Sequence, residues 1–407
     1  MFSVVLSISS LLFGFCIVLV GVSLLATSLG VRASVEQISD SVIGLIMAGY
    51  FMGFIVGSFA CPHIIRRIGH IRSFTAFAAI AAVAAYSHDI FVYPWIWFAL
   101  RLVTGISIVG LYIVIESWIN ATIPNAQRGR IFAIYMTLTL LAVATGPYLI
   151  LVNGEFSFGI AAMLLTLGLL PIALTRVVEP IRIASTRFNI KKLYRTSPLG
   201  LAGAAMAGFV NGAFFAMGAV FAHKIGMSTT HIAMFMSTLV LGGAFLQFPV
   251  GRLSDRLERR TVLIAVAFAA ALLAVTAYLL VDISHKLMLI SVFAYGGMTF
   301  ATYPLSVAHV NDRLVNGEVL EATQGILLVY GIGAIGGPIT AGILMDSFGP
   351  KTLLMFFAVS YALMGSYAIY RKGTTAAVSE EEKTGFVPMA LTSQAALEMH
   401  PQVGEKE

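Results

Sequence analysis

Charged residues are scarce in this sequence. They make up 11% of its 407 residues, whereas hydrophobic residues make up 58%; soluble proteins usually contain about a quarter charged residues. A soluble fold of this length would have more surface than so few charges can cover. The composition therefore excludes a water-soluble enzyme, a nucleic-acid-binding protein and a disordered chain, and it indicates an integral membrane protein.

Cysteines are also scarce, and a nucleotide-binding motif is missing. Cys16 and Cys61 are the two cysteines, and we expect them too far apart to form a disulfide. The chain has no G-x-x-x-x-G-K-[ST] phosphate loop and hence no ATP-driven motor. We expect no enzyme activity, no cofactor and no bound metal.

Long apolar runs fill most of the chain. A helix needs about 20 apolar residues to cross a membrane, and these runs do not alternate as barrel strands do. We predict an all-α membrane protein with twelve transmembrane helices near residues 5–30, 41–61, 71–87, 94–119, 131–152, 157–178, 198–222, 230–250, 261–281, 286–308, 322–345 and 350–370.

The basic residues fall mainly at one set of predicted helix ends. Twenty of the 25 Lys and Arg residues lie there, four lie at the opposite ends, and Arg101 lies inside the fourth helix. Basic loops stay on the cytoplasmic side of a membrane. We therefore expect a multi-pass protein of the bacterial inner membrane with both termini in the cytoplasm.

The two halves of the chain resemble each other at an offset of about 190 residues. Gly53 matches Gly242 and Arg67 matches Arg256 at 189, and four further matches occur at 191: Gly105 with Gly296, Tyr112 with Tyr303, Asn120 with Asn311, and Gly146-Pro147 with Gly337-Pro338. We predict two pseudo-symmetric six-helix bundles, residues 1–178 and 198–371, joined by a cytoplasmic linker, 179–197. Residues 372–407 lack an apolar period and are expected to form a disordered cytoplasmic tail.

Several short motifs occur at matching helix numbers. The loop Gly251–Arg260 contains Asp255 and Arg256, a degraded copy contains Arg66 and Arg67, and Arg101 precedes Gly105 and Gly110. With the two Gly-Pro pairs and the strings at 114–117, 247–252 and 303–304, this set resembles the major facilitator superfamily, in its poorly characterised YcaD-like bacterial branch, over residues 5–371.

The resemblance implies a gating role for the two loops, through Arg66 and Arg67 in the first copy and Gly251, Asp255 and Arg256 in the second. Asp255 could hold the cytoplasmic side closed, or the loop could serve only membrane topology. The first copy departs from the family pattern, with Arg66 in place of Asp and Pro62 in place of Gly. Gly146-Pro147 and Gly337-Pro338 are expected to kink their helices.

Two charged residues are predicted inside the fourth helix. Arg101 cannot deprotonate, so it is a candidate for binding an anionic group or a carboxylate; alternatively it reaches the membrane surface or neighbouring carbonyls. Glu116 lies too far along the helix to pair with it and is a candidate proton site or gate. Glu116 could equally be a helix-end acid that anchors Arg66, Arg67 or Arg128.

Three amides are candidates for a central cavity: Asn211, Gln247 and Gln324. A buried amide must find hydrogen-bond partners, and bonding between helices explains such residues as well as solute contact does.

These features favour a secondary active transporter that binds a small solute between two bundles and works by alternating access. We expect protons to be a coupling partner, the lipid bilayer to surround a monomer, and no nucleic acid to bind. A passive facilitator or channel, or a non-transporting membrane sensor, is the alternative.

Overall fold

The structure, a computed structural model, describes residues 2–122, 128–174, 190–314, 319–374 and 385–387. Within these ranges the chain is helical and contains no β-strand. Most of the linker and the tail predicted from composition lie outside the described residues.

The helices of the first half are followed by those of the second half. The first half contains α1 (Phe2–Val35), α2 (Asp40–Ile68), α3 (His70–Ile90), α4 (Pro94–Thr122), α5 (Arg128–Thr145), a 3₁₀ segment (Gly146–Leu151), α6 (Ser157–Leu167) and α7 (Leu169–Ala173). After them come α8 (Ile190–Thr196), α9 (Pro198–Lys224), α10 (Thr229–Arg256), α11 (Arg259–Leu280), α12 (His285–Asn311), α13 (Val319–Phe348) and α14 (Thr352–Thr374).

Ten helices in the described ranges are long and apolar enough to cross a membrane. The other two predicted crossings differ for separate reasons. Helix α3 forms over its full 21 residues, but it has a lower apolar content. The sixth crossing is interrupted at Gly168, where α6 ends, and a side chain at 168 would collide with α1 at Gly14 and Val18. Twelve crossings therefore stay a prediction.

The glycines matched in the repeat occupy matching contacts between helices. A β-carbon on Gly53 of α2 would overlap the carbonyl of Leu102 in α4, and one on Gly242 of α10 would overlap that of Phe293 in α12. The reciprocal contacts, made by Gly105 and Gly296, are also duplicated, with Tyr50 and Leu239. Small residues let helix backbones approach closely. The α2–α4 and α10–α12 crossings therefore share the same close backbone packing at matched glycines.

The two halves meet mainly along three helix pairs: α2 with α13, α1 with α9, and α5 with α10. The 3₁₀ segment also contacts α10, and α2 contacts α9. We call the helix ends where most Lys and Arg residues lie the basic end, and the other ends the opposite end. At the opposite end Lys224 forms an ion pair with Asp40 at 2.8 Å, and Ser41 donates to Asp346 at 2.8 Å. These contacts join the first half to the second.

Backbone packing closes the same end. A β-carbon on Gly44 of α2 would overlap the carbonyl of Pro338 in α13, and one on Gly342 of α13 would overlap that of Asp40. The two helices therefore touch there without intervening side chains, and the opposite end is sealed between α2 and α13.

Candidate functional site

Arg101 is buried in the middle of the molecule. Its side chain is 4% exposed, and its guanidinium lies over the ring of Tyr50 at 4.6 Å from the centroid. The Nε and Nη1 atoms have no hydrogen-bond partner. A cation–π contact compensates part of the cost of burying a charge, but donors without acceptors remain costly. Arg101 therefore has unused capacity to bind an acceptor.

The local packing of α4 explains where Arg101 lies. Gly105, one turn further along α4, brings this helix against the backbone of α2 at Tyr50. Residues three or four apart share one face of a helix, so Arg101 faces the same neighbour as Gly105. The close crossing thus places the guanidinium beside the aromatic ring of Tyr50.

Arg101 opens onto a cavity between the two halves. The cavity has a volume of about 100 Å³, and its walls come from α1, α2, α4, α5, α9 and α10. Its lining residues are Leu19, Val22, Ser23, Ala26, Thr27, Met47, Tyr50, Phe51, Arg101, Tyr112, Val143, Phe215, Ala216 and Met236. The sequence predicted a solute site near Arg101. The structure places Arg101 at a cavity between the halves, and binding of a solute there stays a prediction.

A second cavity of about 50 Å³ adjoins the first, and Tyr112, Val143 and Phe215 line both. Its remaining walls are Thr139 and Leu140 of α5 and Asn211, Phe300, Tyr303, Leu327 and Tyr330 of the second half. Tyr112 and Tyr303, which match in the repeat, both face this space. The match was a signal in the sequence, but it was not interpreted as a site.

Asn211 bonds one helix to another and also lines a cavity, and its contact with solute stays a prediction. It lines the second cavity, and its Oδ1 accepts a hydrogen bond from Thr299 at 2.9 Å. Thr299 in turn shares a 2.6 Å hydrogen bond with the hydroxyl of Tyr361. Asn211 therefore links α9 to α12 while it faces the cavity.

The other two candidate amides lie away from these cavities. Gln247 is 1% exposed, and its Oε1 has no hydrogen-bond partner, while Gln324 is 4% exposed. Neither side chain lines the two cavities described above. Contact of Gln247 and Gln324 with a solute stays a prediction.

Glu116 is fully buried in α4. Its Oε1 accepts a hydrogen bond from the hydroxyl of Tyr135 at 2.7 Å. Glu116 lies one turn beyond Tyr112, which lines both cavities. The basic residues Arg66 and Arg67 are exposed, and Arg128 is among the side chains that the structure does not describe. Glu116 therefore lies next to the cavity wall, whereas Arg66 and Arg67, which it anchors in the alternative prediction, lie on the surface.

The second-half loop forms a network of contacts at the basic end. Asp255 accepts the backbone N–H of Phe386 at 3.0 Å and lies 3.5 Å from Arg259. Arg259 also donates to Asp312, and both side chains are 3% exposed. Arg256, which the family pattern pointed to, is exposed. The buried cations of this loop are Arg259 and Arg260, which sequence reasoning did not single out.

Gly251 has a packing role that depends on the tail. A β-carbon at this position would overlap the ring of Phe386. Residues 385–387, part of the segment predicted to be disordered, therefore lie against the basic end of α10.

The two Gly-Pro pairs differ in local structure. Helix α5 ends at Thr145, and Gly146 and Pro147 begin the 3₁₀ segment, whereas α13 continues as an α-helix through Gly337 and Pro338. Both glycines touch a neighbouring backbone: Gly146 at Val20 of α1 and Gly337 at Phe209 of α9. Close helix contact is thus a shared feature, and kinking of both helices stays a prediction.

Within the described residues no group of His, Cys, Asp or Glu residues could hold a metal ion. Cys16 and Cys61 are both free thiols.

Comparison with known proteins connects this geometry to a family. The model of the Major Facilitator Superfamily matches residues 4–320 and 199–398. The chain is 27% identical to an uncharacterized MFS-type transporter YcaD of Salmonella arizonae over 358 residues, 86% of this chain and 92% of that protein. The YcaD protein of Shigella flexneri is also 27% identical, over 356 residues, 86% of this chain and 91% of its own length.

Solved transporter structures share the fold. A bacterial homolog of the human lysosomal transporter Spinster, inward-facing and occupied, matches with a TM-score of 0.75 at 14% identity, covering 93% of this chain and 97% of that one. The nucleoside transporter NupG matches with a TM-score of 0.74 at 13% identity, covering 89% and 98%. Since the family model spans most of the sequence, this multi-pass membrane protein belongs to the major facilitator superfamily and resembles its YcaD-type transporters.

Proposed function

We propose that the chain is a secondary active transporter of the bacterial inner membrane, which moves a small solute by alternating access. Its twelve crossings form two six-helix bundles, and the basic end faces the cytoplasm because Lys and Arg are retained on that side. The single observation that carries the proposal is the position of Arg101, buried and with free donors, in a cavity that both halves line.

The contacts between the halves support a gated carrier over a channel. At the opposite end the halves are joined by the Lys224–Asp40 ion pair and by the backbone contact of Gly44 with Pro338. A carrier must close one end of its site while the other opens. This closure therefore corresponds to one of two states, with the opposite end shut.

The structure suggests a direct way to force the other state. In Gly44→Leu the new side chain would collide with the carbonyl of Pro338, so the opposite end could no longer close. The distance between the halves can be measured at both ends by electron spin resonance. One label pair would replace exposed Val35 and Phe348 at the opposite end, and the other would replace exposed Ile68 and Leu257 at the basic end.

Alternating access predicts opposite changes in the two distances: the opposite end widens in Gly44→Leu and the basic end narrows. The control is Gly373→Leu, because a β-carbon at Gly373 meets no atom within 4 Å. A rigid channel or a static sensor would widen at the opposite end without any response at the basic end.

We further propose that proton movement is coupled through Glu116. The carboxylate is buried, accepts a hydrogen bond from Tyr135 and lies one turn from the cavity wall. Protonation would neutralise a buried charge and so change the energetic balance between the two states. The spin-label distance at the basic end should therefore change with pH in the native chain and not in Glu116→Gln.

Glu36→Gln is the matched control for this experiment, because Glu36 forms an exposed ion pair with Arg32 at 2.8 Å. An equal response to pH in the native chain and in Glu116→Gln would rule out coupling through this carboxylate.

A further inference from the structure

Apart from the ring of Tyr50, the part of the protein that the structure describes offers the charge in the central cavity no acidic partner. Of the described residues that line the two cavities, none is Asp or Glu. Two guanidinium nitrogens of Arg101 have no acceptor. A buried arginine is best satisfied by a carboxylate, which accepts two parallel hydrogen bonds from its planar donors. The missing acceptor is therefore expected to come from the ligand, as a single carboxylate group.

The rest of the cavity wall is apolar or aromatic. Beside Arg101 it presents Met47, Phe51, Phe215 and Met236. Two hydroxyls near Arg101 are already used, since Ser23 donates to the carbonyl of Val143 at 2.7 Å and Thr27 to that of Ser23 at 3.0 Å. The second cavity adds the hydroxyl of Tyr303, which has no partner. A sugar or nucleoside would bring several hydroxyls that find few partners, at a cost in desolvation. The body of the ligand should therefore be apolar.

The size of the cavity limits the ligand further. The two adjoining spaces have volumes of about 100 Å³ and 50 Å³. An apolar cavity of about 150 Å³ holds benzene. A ring or a branched aliphatic group with one carboxylate fits this space, whereas a drug-sized molecule does not.

From charge, lining and volume together, we infer that the cavity binds a small apolar monocarboxylate, with the carboxylate on Arg101 and the apolar body among Phe51, Phe215 and Met236. This inference rests on the proposed transport function and specifies its substrate class. A cation of the same size would meet the uncompensated charge of Arg101, and a neutral molecule would leave its donors unsatisfied.

The test uses the purified full-length protein in detergent and radiolabelled benzoate as the probe. Phenylacetate and isovalerate should displace it. Benzyl alcohol and benzylamine, which keep the ring and lose the carboxylate, should compete at least about 10-fold more weakly, because a hydrogen bond to a charged group is worth about 1.5–3 kcal/mol. Acetate, which lacks the apolar body, should also be a poor competitor.

Two variants locate the site. Arg101→Gln should weaken benzoate binding by about 10- to 100-fold. Arg72→Gln, which removes the same charge from an exposed position at the basic end, should leave binding unchanged. The competition series in the native chain requires no variant, so the inference remains testable if Arg101→Gln fails to fold.

Three results would overturn the inference: no benzoate binding up to about 10 mM, equal competition by benzylamine, or unchanged affinity in a folded Arg101→Gln. None of these would affect the spin-label experiment with Gly44→Leu, which tests alternating access without a ligand. Failure of the substrate class and failure of the transport mechanism are therefore separate outcomes.

Discussion

The two halves of the molecule bury charge in different places. In the first half, Arg101 and Glu116 lie buried along α4, and Asp40 lies buried at the opposite end. In the second half, the matching helix α12 has Val292 in place of Arg101, and the buried polar side chains that the structure describes inside this half, among them Thr299 and Asn211, are uncharged. The buried charges described in the second half, Arg259, Arg260 and Asp312, lie at the basic end. The repeat thus preserves the backbone crossing and not the chemistry.

The two matching loops show the same contrast. In the first, Arg66 and Arg67 are exposed. In the second, Arg259 is held by Asp312, and Glu258 bonds to Arg260 and Lys372. The difference follows from the acids: the second loop contains Asp255 and Glu258, whereas the first has Arg66 and Gly69 at the matching positions. A basic loop becomes a structural junction when carboxylates lie within reach.

The largest expected effect comes from breaking the buried pair in the second loop. Arg259→Met should lower the free energy of unfolding by about 3–5 kcal/mol, because Asp312 is left buried without its cation. Arg66→Met, at an exposed position in the first loop, should change it by about 0.5 kcal/mol or less. Thermal melting in detergent measures both.

The double variant Arg259→Met, Asp312→Leu serves as the control, because replacing both partners removes the stranded charge and should recover most of the loss. Equal melting temperatures for the Arg259→Met and Arg66→Met variants would contradict the contrast between the loops.

Two buried tyrosines should differ, by a smaller amount, in how much their hydroxyls contribute to the free energy of unfolding. The hydroxyl of Tyr135 in the first half donates to Glu116, while that of Tyr303 in the second half has no partner. Tyr135→Phe should therefore cost about 1.5–3 kcal/mol, the range for a hydrogen bond to a charged group. Tyr303→Phe should be neutral or stabilising, since it removes an unsatisfied polar atom. A Tyr303→Phe loss as large as that of Tyr135→Phe would show that hydrogen bonding is not the cause.

The pH dependence of stability should reveal the contribution of Glu258, an acidic residue of the second loop. Burial alone would raise the pKa of Glu258, but hydrogen bonds from Thr261, Lys372 and Arg260 outweigh it and hold the pKa below its ordinary value. A carboxyl with a lowered pKa stabilises the folded state above its ordinary pKa, and this stabilisation is lost as the pH falls through the lowered value. Melting temperatures should be measured at successive pH values below 5, which is about half a unit above the ordinary glutamate pKa. As the pH falls, they should decrease less steeply in Glu258→Gln than in the native chain. Parallel curves would exclude this role.

The smallest effect is expected from the tail. Deleting residues 375–407 removes the ring of Phe386 from Gly251 and its N–H from Asp255. Amide hydrogen exchange at the basic end of α10 should speed up, with a loss of stability near 1 kcal/mol, typical of one such hydrogen bond. Deleting only residues 388–407 keeps the contact and should leave exchange at α10 as it is; acceleration in both deletions would mean that Phe386 is not responsible.

Much of the fold could be predicted because it depends on local features of the chain. Apolar runs predict helices, and the matched glycines indicated a repeat whose close contacts the structure shows at Gly53 and Gly242. Arg101 was recognisable because a charge inside an apolar run is costly and rare. The interruption at Gly168 was not predicted, since a glycine in an apolar run gives no sign of the neighbour against which it packs.

The remaining site residues depend on tertiary structure. Phe215 and Met236 face the cavity, but their side chains are of the same type as many that pack elsewhere or face lipid, so composition cannot separate them. The partners Arg259 and Asp312 are 53 residues apart in the chain, and no periodicity relates them. Gln247 and Gln324 were singled out for polarity alone, and polarity does not tell which face of a helix a side chain occupies.

The backbone contact of Gly44 and Gly342 between α2 and α13 affects how easily the opposite end can open. Because the contact at Gly44 and Gly342 is made by backbone atoms, this part of the interface can open without a change of side-chain rotamer, and the attraction lost there is the dispersion between close backbones. The ion pair of Lys224 with Asp40 and the hydrogen bond of Ser41 to Asp346 are then specific bonds to be broken there. Closure by shape allows a tight seal to form and release repeatedly at low energetic cost.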